Sequence, residues 1–307
     1  RYKSRSNYVV KLTPFWNFSR LCSRTKVESS ESMFTCFQKS DRDGIVIYVI
    51  DSYFPTSLQD DYIEILGEMK EIEGYNKDHG SHITTIVRRL LDGVIKTKIK
   101  FIQIKLEKMV SDHECTSRVR SAFSLIFRDI ETRRRLENYT GSVVNCSWQI
   151  GKENPAFQIL RKSFHSLNDL GVHIVTTSGN NPQGGDNNWS LSQKLYGNCI
   201  PVCLDYAIKV GAIDENDAMA TFSFANSSIT CFAPGVNIQS LSSEGRELVL
   251  SGTSMACPHV AGLVAYFLSI IPDPESCTPS QMISLIKKLS SKNMMKGPRL
   301  SCRRISK

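Results

Sequence analysis

The residues best suited to chemistry lie in Ser251-Gly252-Thr253-Ser254-Met255-Ala256-Cys257-Pro258-His259-Val260-Ala261-Gly262, followed by the apolar run Leu263 to Ile271. Small residues around one hydroxyl, then a long hydrophobic segment, are what a strand-to-helix turn needs to hold a serine in the open, so Ser254 is a candidate nucleophile. Alone, Gly-Thr-Ser is equally a turn capping a buried helix. Three further groups stand upstream. Asp51 closes the run Ile45-Val46-Ile47-Tyr48-Val49-Ile50, at the strand end where open α/β sheets place their sites, although a turn-forming Asp reads the same way. Asp78-His79-Gly80-Ser81-His82 carries two imidazoles; the zincin Glu is missing and the spacing is wrong for that metal site. Ser178-Gly179-Asn180-Asn181 is a polar loop that a plain turn would also explain.

The elements that must position these groups follow from periodicity. Ile45–Ile50 is nearly all β-branched, the mark of a strand buried on both faces of a parallel sheet. Ile83, Ile86, Val87 and Leu90 recur at helical spacing, which places both histidines on the first turn of an amphipathic helix. Strands are expected at Ile99–Lys105, Ser142–Ser147 and Val172–Thr177, and helices near Val119–Tyr139, over Phe157–Leu167 and over Pro279–Leu289. Strand and helix in alternation imply right-handed crossovers and a largely parallel sheet covered on both sides. Neither repeat nor linker divides the pattern.

Composition bounds the rest. With 307 residues, 41% hydrophobic and 22% charged, the chain is globular and long enough for one large core. The net charge of +8 is scattered, with Arg133-Arg134-Arg135 as the one run, so nucleic acid is set aside. No apolar stretch reads as a membrane span, and the chain shows neither signal-peptide pattern nor initiator Met, as expected of a piece of a longer precursor. The 10 cysteines have no Cys-x-x-Cys spacing. Together with sequons at Asn17, Asn138, Asn145, Asn188 and Asn226 they point to an oxidising compartment with some disulfides, Asn145 being unoccupied because it lies in a core strand.

The string around Ser254 resembles the active-serine signature of the subtilisin-like serine proteases, and Tyr48-Val49-Ile50-Asp51-Ser52, His79-Gly80-Ser81-His82 and Ser178-Gly179-Asn180 resemble that family's other motifs, in its chain order. Pro14-Phe15-Trp16-Asn17-Phe18-Ser19-Arg20-Leu21 is similar to the mature start of proteinase K-like members. The resemblance covers about Pro14 to Ile271. It implies an α/β fold of three layers and a serine endopeptidase, with Asp51 orienting His79 as general base, Ser254 as nucleophile and Asn180 as oxyanion donor. It leaves His82 as a packed helix residue. An α/β-hydrolase is excluded: Ser254 is followed by Met255-Ala256, and the one later histidine is His259.

The same resemblance implies residues 1–13 as a propeptide remnant or N-terminal arm, 14–290 as the catalytic domain and 291–307 as a basic tail. It implies protein or peptide substrates, the chain's own propeptide as inhibitor, a monomer, and a secretory route to the exterior or cell surface. Two departures stand out. Tyr53 replaces the Gly after Asp51-Ser52, which would shift the acid. Ser147-Trp148-Gln149 replaces Ser-Leu-Gly on the strand lining the substrate cleft, where Gln149 would narrow or block the pocket for the residue before the scissile bond. These motivate a rival reading, a catalytically impaired binding or wall-structural protein, which a Gln149 side chain filling the groove would favour. Calcium is common in the family, but the acidic residue that would mark its site is Thr230 here, so no ion is placed.

Overall fold

A computed structural model of the chain describes residues 8–13, 15–22, 34–38, 40–70, 76–104, 112–136, 138–181 and 197–292. Pro14, Lys105, Asn188 and most of the basic tail lie outside them. The first half comprises β1 (Tyr8–Leu12), α1 (Trp16–Cys22), β2 (Phe34–Gln38), β3 (Ile45–Asp51), β4 (Ile63–Ile65), α2 (Lys77–Leu91), β5 (Thr97–Gln103), α3 (Asp112–Arg134) and β6 (Gly141–Cys146). Then come β7 (Ile150–Gly151), α4 (Phe157–Asp169), β8 (His173–Thr177), β9 (Cys199–Ile200), β10 (Ala207–Ile213), β11 (Cys231–Pro234), β12 (Ile238–Leu241), β13 (Glu247–Leu250), α5 (Thr253–Ile270) and α6 (Pro279–Leu289).

Seven strands form one sheet in the order β11-β10-β8-β6-β3-β5-β4, with every pairing parallel. Strand β3 is buried along its whole length. Its alternate residues serve two cores: Ile45, Ile47 and Val49 pack with α2 and α5, while Val46, Tyr48 and Ile50 pack with α3 and α4. That is the three-layer α/β architecture expected. Because β3, β6 and β8 are neighbours and point the same way, Asp51, Ser147 and the loop carrying Asn180 emerge side by side at the C-terminal ends of the central strands.

Some boundaries differ from expectation. Helix α3 begins at Asp112 and ends at Arg134, well before Tyr139. Beyond Ile130 the chain offers no apolar residue on the inward face, and Leu136 is exposed. Helix α2 starts at Lys77, so His79 lies in its first turn and His82 in its second. Strand β1 pairs antiparallel with β2. Contrary to the expectation that no apolar stretch reads as a span, α5, at 18 residues, is long and apolar enough to cross a membrane by length and composition; here it is a core helix, 78% buried inside the fold. Fully burying each of Val260, Val264 and Leu268 stabilises that arrangement by about 1.5–3 kcal/mol.

Beneath the far face, Lys100 is buried in β5. Its Nζ lies 2.7 Å from Asp129 Oδ1 and 3.3 Å from Glu64 Oε2. Tyr48 Oη donates to Asp129 Oδ2 at 2.7 Å and Arg133 Nε to the same oxygen at 3.0 Å. Burial favours the neutral carboxyl, but these donors outweigh it and hold Asp129 below the usual carboxylate range. Asp129→Ala is expected to lower the unfolding free energy by about 3 kcal/mol, because Lys100 keeps only Glu64. Urea denaturation measures it, and a midpoint unchanged from wild type would show that the network does not stabilise the fold.

Candidate active site

Strand β3 delivers Asp51, buried at 3% exposure. Its Oδ1 accepts from Ser52 N–H at 2.8 Å and lies 2.8 Å from His79 Nδ1, which must donate to it because a carboxylate only accepts. The N-terminus of α2 is fixed by Asn76, whose side chain accepts from Asp78 N–H. Asp78 in turn accepts from the backbone N–H and the hydroxyl of Ser243, both at 2.8 Å, tying the β12–β13 hairpin to the turn that holds His79. Gly80 is required by close approach: a Cβ there would lie 2.3 Å from the Tyr53 carbonyl oxygen and 2.9 Å from the Phe101 ring. Tyr53 thus presses its backbone on α2, and the Asp51–His79 hydrogen bond is made all the same.

Burial disfavours the imidazolium of His79, yet the charge and hydrogen bond of Asp51 outweigh it and raise the pKa above 6.5. His82, with Nε2 against the carbonyl oxygens of Ile238 and Leu248, has no such carboxylate, and burial pushes it down to about 4. His259 is likewise pushed down to about 4 by burial; its Nδ1 donates to the Met255 carbonyl and its Nε2 accepts from Asn17 Nδ2. Of these three, His79 alone is poised to exchange a proton near neutrality. The acid limb of kcat/KM against pH should therefore have its midpoint above 6.5, since the base works only when neutral. For stability the sign is opposite: with its folded pKa raised, His79 contributes fully below its unfolded pKa, and that contribution is lost as pH rises through the folded value. A pH–rate profile with its acid midpoint at or below 6.5 would contradict this.

Ser254 stands in the first turn of α5, where helix geometry leaves its backbone N–H unused by the helix. The turn hangs from the preceding strand region, with Gly252 N–H donating to the Gly235 carbonyl at 2.7 Å. Pro258, four residues after Ser254, has no N–H to give the Ser254 carbonyl. The hydroxyl of Ser147 fills that vacancy at 2.9 Å, and the Ser254 hydroxyl donates back to the Ser147 carbonyl, also at 2.9 Å. Asn145 Nδ2 donates to Ser147 Oγ at 3.1 Å and completes the support.

Asn180 is aimed by its acceptor. Its Oδ1 takes the N–H of Thr253 at 3.0 Å and the Thr253 hydroxyl at 2.8 Å. The Thr253 oxygen accepts from the Thr177 hydroxyl, whose oxygen in turn accepts from Gly179 N–H at 3.1 Å. With Oδ1 pinned, Nδ2 is left as a donor beside the serine turn. A methyl group built on Gly252 would lie 3.4 Å from Asn180 Nδ2 and 3.7 Å from Ser254 N, so both donors flank one spot. Asn180→Ala is expected to cost about 10²–10³ in kcat with KM little changed, the signature of a donor used in the transition state; a loss in KM alone would remove that role.

The predicted cleft residues diverge. Ser147 braces the serine turn. Trp148 turns inward, its Nε1 donating to the Ile50 carbonyl at 2.7 Å and its ring 6.3 Å from that of Phe164, so it supports the strand that ends in Asp51. Gln149 lies across the gap between the ends of β6 and β8, its Nε2 donating to the Thr177 carbonyl at 2.6 Å. Thr177, Thr253 and Asn145 were missed from sequence, although Thr253 stands directly before the serine, and Pro258 four residues on signals a carbonyl in need of a donor.

None of Cys146, Cys199, Cys203, Cys231, Cys257 and Cys277 is in a disulfide. Burial keeps these thiols protonated, raising Cys231 to about 12. The sequon residue Asn17 is buried in α1 on His259, whereas Asn138 is exposed. Thr230, which stands where the resemblance would have an acidic residue, has its Oγ1 accepting from Lys209 N–H at 3.1 Å, and among the described residues no group of three His, Cys, Asp or Glu could hold a metal ion.

The chain is similar to several known proteases. Subtilisin-like protease 3 of Saccharomyces cerevisiae is 26% identical over 294 residues, covering 91% of this chain and 58% of its own length. The cuticle-degrading serine protease of Arthrobotrys oligospora is 29% identical, over 83% of this chain and 60% of its own. Proteinase T of Parengyodontium album is 26% identical, over 83% and 80%. The chain thus spans little more than half the length of the first two. The crystal structure of a cold-adapted subtilisin-like serine proteinase matches the fold, with a TM-score of 0.67 at 21% identity over 92% of this chain and 94% of that one. The model of the subtilase family, Peptidase S8, matches residues 43–301, a span that holds Asp51, His79, Asn180 and Ser254 together, and the chain belongs to that family.

Proposed function

We propose that the chain is a serine endopeptidase acting through an acyl-enzyme on Ser254. The observation that carries this reading is the 2.8 Å hydrogen bond between Asp51 and His79, beyond the C-terminal ends of the strands where Ser254 and Asn180 also converge. Ser254 Oγ turns from the Ser147 carbonyl toward His79, gives its proton to Nε2 and attacks the peptide carbonyl carbon. The oxyanion is held by Asn180 Nδ2 and Ser254 N–H, while Asp51 stabilises the imidazolium. His79 then protonates the leaving amine as the C–N bond breaks. Water, deprotonated by His79, attacks the acyl carbon; the acid leaves and the proton returns to Ser254. Ser147 and Gln149 border the acyl side of the substrate, and Trp148 acts through Asp51. Exposed Asn138, in a sequon, supports a secretory route, which endoglycosidase treatment of secreted protein would test by a mass shift lost in Asn138→Gln.

One observation favours the rival binding protein: Gln149 reaches across the gap between the ends of β6 and β8 to the Thr177 carbonyl. With Asn180 exposed and Ser254 and His79 half-buried, it would narrow the choice of substrate without removing the reaction. Labelling of purified, processed protein with a fluorophosphonate, followed by peptide mapping, tests both readings. Stoichiometric label on Ser254, absent in Ser254→Ala, supports the peptidase. A folded, unlabelled protein would leave the binding protein standing.

A further inference from the structure

We infer that Gln149 closes the pocket for the side chain preceding the scissile bond, so that this chain cleaves after glycine or alanine. The inference rests on the peptidase reading above. If the scissile carbonyl oxygen lies between Asn180 Nδ2 and Ser254 N–H, the acyl residue must lie over the gap between the segments that leave β6 and β8. These are adjacent parallel strands, paired up to Cys146 and Thr176. Beyond that pair the chains part, and a pocket between Ser147–Gln149 and Thr177–Gly179 would admit a side chain if both walls were bare.

Neither wall is bare. Gln149 reaches across and donates from Nε2 to the Thr177 carbonyl at 2.6 Å. Its Oε1 lies 3.1 Å from the position a Cβ would take on Gly179, and the Phe224 ring lies 2.9 Å from that same position. Gly179 is therefore packed between a carboxamide and an aromatic ring. Phe224 is held there because its N–H donates to the Gly179 carbonyl at 3.1 Å and its ring is buried against Val202. The bond to Thr177 gives Gln149 a reason to stay: swinging out would leave the carbonyl at the end of β8 without that donor. A hydrogen or a methyl group fits beside such a strut. A Leu or Phe side chain would have to displace it.

The test uses three probes on the processed protein: a fluorophosphonate without a peptide, and peptidyl diphenyl phosphonates ending in Ala or in Phe. The wild type is expected to react with the first two and to take the Phe probe about 10–200-fold more slowly than the Ala probe. Gln149→Gly should recover that factor in the ratio of the Phe rate to the Ala rate. Gln149→Ala, which keeps more of the backbone restraint, should recover part of it and guards against a misfolded Gly variant, with near-UV circular dichroism to check folding. Equal rates with Ala and Phe in a wild type that fluorophosphonate labels would overturn the inference alone, as would an unchanged ratio in both folded variants. No labelling by fluorophosphonate would overturn the peptidase reading and this inference with it.

Discussion

Ser254→Ala is expected to lower kcat for peptide hydrolysis by about 10⁶-fold, His79→Ala by a similar factor, and the double variant by no more than either single change. In the proposed mechanism the two groups act on one proton. Without the hydroxyl, His79 has nothing to deprotonate; without the imidazole, Ser254 stays in the hydrogen bond it makes here with the Ser147 carbonyl at 2.9 Å. What survives either change is the pair of donors on Asn180 and Ser254 N–H, aimed through Thr253 and the start of α5 and untouched by both substitutions. That remnant accounts for a residual rate of about 10³–10⁴ over water. Ser254→Ala also removes one hydrogen bond to the Ser147 carbonyl, a cost of about 0.5–1.5 kcal/mol, so the fold should persist. Single-turnover hydrolysis with denaturant melts as control is the measurement. A double variant much slower than either single one would mean that the groups act independently.

The extent to which this site could be read from sequence depends on what each residue is for. Asp51, His79, Asn180 and Ser254 carry scarce chemical types in motifs bounded by buried strands, so pattern and family likeness converge on them. β3 was legible because both its faces are buried, leaving an almost unbroken β-branched run. The supports were not legible. Thr253, Thr177 and Asn145 are ordinary polar residues whose roles exist only when three separate segments meet, as in the line of donors from Gly179 N–H to Asn180 Oδ1. The start of α3 is not legible because its first turns, Asp112 to Arg118, are polar except for Cys115 and show little apolar rhythm. The sequence marks Gln149 as an obstruction, while its partner, the carbonyl of Thr177, follows only from the pairing of β6 and β8.

Asp51→Asn should lower kcat by about 10⁴-fold at neutral pH and move the acid limb of the profile downward. Asp51 Oδ1 serves two N–H donors at 2.8 Å each, Ser52 and His79, while Oδ2 is buried with no hydrogen-bond partner among the described residues. An asparagine therefore has two poor choices. With its oxygen in the Oδ1 position, His79 keeps its tautomer but loses the charge that steadies the imidazolium, and an NH₂ group is buried without an acceptor at a cost of about 1–3 kcal/mol. With the amide reversed, NH₂ faces both Ser52 N–H and Nδ1, and the imidazole must shift its proton to Nε2, the nitrogen that has to accept from Ser254. The pH profile separates an effect on the base from simple damage to the fold. The Asp51 charge and hydrogen bond are what raise His79 above 6.5 against burial, so their loss must lower the kinetic midpoint in a variant that still folds. A variant with kcat reduced and its acid midpoint unmoved would show that Asp51 holds the backbone in place and does not govern the protonation of His79.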